Sequence, residues 1–152
     1  MENVANAPAL SRLPAWKAYF SLWVPLVLYA ATMCFFSSRP ATSLPRWAFI
    51  TEHDKILHAI EYMGLGMLIV RALLRSGMRL RWSITLSIGI SLVFGVFDEW
   101  HQSFVPGRRG NDIGDLSADV SGALLGTLVV VMLWLRFYRG KYRANPAEQG
   151  KP

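Results

Sequence analysis

Four apolar runs, each close to the roughly 20 residues that cross a bilayer as a helix, take up most of this chain. They fall near residues 17–36, 56–74, 82–97 and 116–138, and the third reaches Phe104 if the polar segment at Asp98 continues it. Lipid offers no hydrogen-bond partners, so a spanning backbone must close its own bonds as a helix or a sealed barrel. No alternation of period two is long enough for a membrane strand, and there is no internal repeat. The fold class that follows is all-α, an integral membrane bundle of about four transmembrane helices. With 152 residues the chain is one domain by size, and its 53% hydrophobic content is high for a soluble one.

The first run follows Arg12 and Lys17 and so invites comparison with a signal peptide. Its apolar core is too long for one and no small-x-small cleavage site follows it, so it reads as a retained helix. Cys34 is the single cysteine, which excludes an internal disulfide and a cysteine-rich metal site. Three segments are expected: an Ala/Pro-rich flexible lead (1–16), the transmembrane domain (17–138) and a basic, disordered tail (139–152). Within the domain, Pro40 and Pro45 mark a loop, Thr51 is placed to cap the second helix, and Ser76-Gly77 and Pro106-Gly107 mark turns.

A net charge of +6 raises the question of nucleic acid, and its distribution answers against it. Arg12 and Lys17 precede the first span, and Arg71, Arg75, Arg79 and Arg81 cluster around the second connection. Arg136, Arg139, Lys141, Arg143 and Lys151 cluster at and beyond the end of the fourth span, whereas the other two connections hold few basic residues. The charges follow membrane boundaries, and no recognition motif accompanies them. By the positive-inside rule both termini are cytoplasmic and the first and third connections lie outside. The tryptophans lie mostly near span ends, where indoles anchor at the interface.

All three histidines and eight of the ten acidic residues fall in two stretches beside these runs, Glu52 to Tyr62 and Asp98 to Asp119. Ionisable groups at the edge of hydrocarbon are costly to keep, which makes these stretches the candidate site. Asp54, His58 and Glu61 are spaced to share one helix face, as are Asp98, His101 and Gln102. Asp115 and Asp119 continue into Gly122 and Gly126, a small-residue stripe that lets another helix approach closely and turns the aspartates inward. His58, Glu61, Asp98, Glu99, Gln102, Asp115 and Asp119 are the acid–base candidates. Asp54, His58, Asp98 and His101 can ligate a divalent metal. Arg108 and Arg109 offer planar forks for phosphate or carboxylate. Each motif also has a plainer reading. Glu61 can pair with an arginine, His58 can cap a backbone, and the arginines can neutralise Asp98, Glu99, Asp112 and Asp115.

Three motifs in this order resemble the VanZ-like family. They are Asp54-Lys55-x-x-His58-x-x-x-Tyr62; Asp98-Glu99-x-x-Gln102-x-Phe104-x-Pro106-Gly107-Arg108; and Asp115-x-x-x-Asp119-x-x-Gly122-x-x-x-Gly126, and the likeness spans residues 28–135. The family takes its name from a small bacterial membrane protein associated with teicoplanin (glycopeptide) resistance. It often carries Asn where this chain has Asp119, and here two arginines and a longer loop precede Asp115. The resemblance implies a small membrane protein of the cell envelope and supplies no reaction of its own.

Three functions are compatible with these residues. In the first, the outward-facing cluster binds or processes an anionic envelope lipid or precursor such as a polyprenyl phosphate, with the arginines on phosphate. In the second, the chain is a non-catalytic membrane module whose polar cluster is structural. In the third, the cluster belongs to a small-solute or proton pathway, for which four helices are few. Membrane lipids are the expected partners, and nucleic acid is not. The charge distribution makes a direct prediction: reporter fusions at Gly77 and after Tyr138 read cytoplasmic, and one near Gly110 reads outside. The reverse pattern at Gly77 and Gly110 overturns the orientation.

Overall fold

The computed structural model describes residues 15–40 and 54–143. Four helices follow in order: α1 (Ala15–Ser37), α2 (Asp54–Arg75), α3 (Leu80–Gln102) and α4 (Ile113–Arg143). All four carry a stretch long and apolar enough to cross a membrane, and there is no strand among the described residues. The third span is therefore one unbroken helix through Asp98 to Gln102, the longer of the two expected limits. Helix α4 runs past Tyr138 to Arg143, so the basic tail begins as helix. The expected cap at Thr51, the loop after Pro40, the lead before Ala15 and the tail beyond Arg143 lie outside the described residues.

The polarity of the bundle is inverted relative to a water-soluble one. Val27, Leu28, Val93, Phe97, Leu125 and Met132 face outward, while Ser83, Ser87, Ser91, Asp119 and Thr127 are buried. A soluble chain does not leave so much apolar surface open. In hydrocarbon this is the stable arrangement, because polar side chains find partners only between helices. Ser87 shows how they find them: its hydroxyl donates to the Gly66 carbonyl (3.1 Å) and meets the Thr127 hydroxyl at 2.8 Å, tying α3 to α2 and α4. Apolar contacts fill the rest of the interior, with Tyr62, Leu65, Ile69 and Leu73 of α2 packed with Met33 of α1 and Ala123 of α4.

Helices α2 and α4 make the most intimate contact. A Cβ at Gly122 would run into the backbone of Ala59, and one at Gly126 into that of Met63. The relation is reciprocal at Gly66, where a Cβ would sit 2.5 Å from the Ala123 carbonyl oxygen. Helix α1 is attached differently. Its Tyr29 ring lies over Gly64, and the Tyr29 hydroxyl donates to the Glu61 carbonyl at 2.9 Å.

The α2–α3 turn closes as the Ser76-Gly77 pair leads one to expect. Gly77 adopts φ 83°, a conformation glycine enters without steric cost. The N–H groups of Gly77 and Met78 bond back to the Leu74 and Leu73 carbonyls, the usual closure of a helix end by a left-handed residue. Gly122→Ala and Gly126→Ala should each destabilise the folded protein by about 1–3 kcal/mol, the typical cost of overpacking. Gly89, exposed on α3 with nothing within 4 Å of an added Cβ, is the internal control. Gly89→Ala should leave the thermal midpoint in detergent unchanged or raise it.

Candidate functional site

The close approach of α2 and α4 places their polar ends side by side. His58 Nδ1 lies 2.9 Å from Asp119 Oδ1, and Lys55 Nζ donates to Asp115 Oδ1 at 2.8 Å with Asp112 Oδ1 at 3.7 Å. Asp119 is fully buried, and its Oδ2 has no partner among the described residues. That oxygen sits beside Gly95 of α3, where an added Cβ would be 3.1 Å away. The Tyr62 ring borders the same gap, and its buried hydroxyl is also unpartnered.

On the other side of His58 opens a cavity of about 260 Å³. Its polar wall is Asp54, His58 and Glu61 from α2, Asp98 and Gln102 from α3, and Arg108 from the following loop. Its apolar wall is Met33 and Phe36 of α1 with Leu57 of α2. Gln102 donates from its amide to Asp98 Oδ2 at 2.8 Å, one helical turn along. Asp98 and Glu61 appear in no ion pair among the described residues, although both line the cavity.

The loop after α3 determines which arginine participates. Val105 N–H bonds to the Gln102 carbonyl, Arg108 N–H bonds to the Val105 carbonyl, and Gly107 takes φ 75°. The turn throws Arg108 back across the bundle, where its guanidinium donates to the Phe36 (2.9 Å) and Arg39 (3.2 Å) carbonyls at the end of α1. The Phe36 carbonyl also accepts the Arg39 N–H at 3.1 Å, so Arg108 adds a side-chain cap to the end of α1 while lining the cavity. Arg109 is exposed and does not line it.

Not every residue expected at the site lies on the cavity. Glu99 is buried but does not line the cavity; it anchors the loop, accepting the Asp112 N–H on its side chain (2.8 Å) and the Asn111 N–H on its carbonyl. His101 turns away from Asp98, meets the Ser38 hydroxyl at 3.0 Å and stacks on Phe97. The metal-ligand set Asp54, His58, Asp98 and His101 is thus divided. Positions three apart on a helix differ by about 60°, enough to send Asp98 inward and His101 toward the end of α1. Asp54, His58 and Asp115 can instead bring one ligand atom each within 4.8 Å of one another. The Lys55 ammonium already sits on Asp115 there. Sequence reasoning quoted Lys55 in the first motif without giving it a role, and passed over the Ser83-Ser87-Ser91-Gly95 stripe on the buried face of α3. The four-residue spacing of those small residues was the signal that could have found the stripe.

Four helices long and apolar enough to span a membrane, with a polar cavity at one end of the bundle, define a small multi-pass membrane protein. The VanZ/LLP1 family profile matches residues 15–135, and the chain belongs to that family. No curated protein and no solved structure matches it.

Asp112 starts α4 and carries a pH signature. Its carboxylate accepts the Gly114 N–H at 2.7 Å, as a helix N-cap does. That bond, assisted by Lys55, holds the Asp112 carboxyl below its usual range. A depressed folded pKa contributes stability above the unfolded value and loses it as pH falls through the folded one. Asp112→Ala should therefore lower the thermal midpoint at neutral pH, and the gap to wild type should close below about pH 4. Asp112→Asn, which keeps the cap, should retain most of the midpoint.

Proposed function

We propose that this VanZ-like protein uses the motif-end cavity to hold the phosphate-bearing head of an envelope lipid or lipid-linked precursor, together with a divalent cation. One observation carries this reading: a single cavity is lined both by Arg108 and three carboxylates and by the apolar side chains of Met33, Phe36 and Leu57. An amphiphile matches such a lining. Three carboxylates against one guanidinium and one imidazole would repel a bare anion, so the phosphate needs a cation with it. Arg108 keeps N–H groups beyond the two it gives to α1, and these suit a phosphate oxygen. Asp54, Glu61 and Asp98 are hard oxygen ligands of the kind magnesium or calcium takes. His58, held by Asp119, is placed to exchange a proton with a bound head if the ligand is processed as well as held.

In this proposal the cavity opens on the extracytoplasmic side of a bacterial inner membrane, with both termini cytoplasmic, as the arginine distribution suggests. A part in glycopeptide resistance belongs to the proposal only through the family. The structural reading also has specific support, since Lys55–Asp115, His58–Asp119 and Gln102–Asp98 satisfy one another internally.

Two measurements separate them. Native mass spectrometry with a polyprenyl phosphate should show cation-dependent retention, abolished by EDTA and by Arg108→Gln. Retention of the lipid without any cation would count against the three-carboxylate argument. Asp98→Asn and His58→Gln should then remove lipid retention while the protein still accumulates. A scaffold-only network predicts the other outcome, a loss of about 3–5 kcal/mol and of protein from the membrane.

A further inference from the structure

The opposite end of the bundle holds a second, larger cavity. It is a groove of about 360 Å³ between α2 and α4, with Arg71 and Arg75 of α2 on its rim. Leu74, Val130, Leu133 and Phe137 form its apolar wall, with Trp134 beside them. The two arginines are four residues apart on one helix, so their guanidinium groups share a face.

Three observations specify the occupant. The first is the missing counter-charge. The sequence has no Asp or Glu between Glu61 and Asp98, or between Asp119 and Glu148. All ion pairs among the described residues lie at the motif end. The second is depth. Arg75 is the last residue of α2 and Arg71 lies one turn inside it, so the arginines sit at the end of the span, where head groups lie. The third is the wall. Apart from the two arginines the groove is lined by Leu74, Val130, Leu133, Trp134 and Phe137, an apolar surface that suits an acyl chain and not a soluble anion.

We infer that this groove is a binding site for an anionic phospholipid of the surrounding leaflet. Its phosphodiester is held by the Arg71 and Arg75 forks, and one acyl chain lies against Leu74, Val130 and Leu133. Basic pockets between helices at head-group level bind such lipids, and guanidinium matches phosphate geometry better than a point charge does. The site is separate from the motif-end cavity and does not depend on what that cavity binds.

The test uses the full chain in detergent, supplied with equal amounts of phosphatidylglycerol and phosphatidylcholine bearing the same acyl chains. Native mass spectrometry should show phosphatidylglycerol retained in preference. Arg71→Gln with Arg75→Gln should cut that preference by about fivefold per arginine, roughly 25-fold together. Leu133→Trp, which fills the groove without changing charge, should displace the lipid. This variant decides the matter if the double variant fails to accumulate. Arg108→Gln should leave the preference intact. Equal retention of the two lipids by wild type overturns the inference, and so does a preference that survives the double variant. A preference lost with Arg108→Gln instead assigns the lipid to the other cavity. Inorganic phosphate that protects against thermal unfolding as well as phosphatidylglycerol would show a site for the anion alone and reject the lipid.

Discussion

Everything at the motif end depends on how near two backbones come to each other. Gly122 and Gly126 lie against the main chain of Ala59 and Met63, and Gly66 returns the contact against Ala123. In lipid there is no hydrophobic gain in bringing helices together, so dispersion over a close contact and the hydrogen bonds it permits must hold them. Here the contact sets the distance over which His58 reaches Asp119 and Lys55 reaches Asp115. A wider separation of the two helices would leave Asp119 buried without its imidazole, a costly state in a medium with no water to replace it. The glycines and the ionisable groups are therefore one feature of α4.

Charge is sorted along the bundle as well as across it. One end collects the carboxylates and histidines, and the charged side chains described at the other, Lys17 and the arginines, are all basic. At the acidic end the groups largely satisfy one another through helix-to-helix pairs and caps. At the basic end no carboxylate pairs with them among the described residues. The two ends thus differ in kind: one is an internal network with a cavity beside it, and the other is an open rim facing the bilayer.

Much of this was legible from spacing. Apolar run length revealed the four spans, and helical periodicity put His58 with Glu61 and Asp98 with Gln102 on the faces that line the cavity. Periodicity is coarse, however. Asp98 and His101 share a face only loosely, and the edge of the cavity passes between them. Loops carry no periodicity at all, so the choice between Arg108 and Arg109 rested on a turn through Gly107 that spacing does not express. Serines escaped notice because their hydropathy is near neutral, although Ser83, Ser87 and Ser91 are buried as completely as any leucine. Arg108 as a cap for α1 was hidden for another reason: its partners are backbone carbonyls, which every sequence has.

Helix α1 supplies Met33, Phe36 and Ser37 to the cavity yet takes no part in the glycine-mediated contact. Beyond side-chain packing, it is joined to the rest by Tyr29 on the Glu61 carbonyl, by the Ser38–His101 bond and by Arg108 on its terminal carbonyls. A tilt of this one helix changes the width of the cavity without disturbing the α2–α4 pair. The same guanidinium lines the cavity and holds the end of α1, so the position of that helix and the lining of the cavity are coupled through a single side chain.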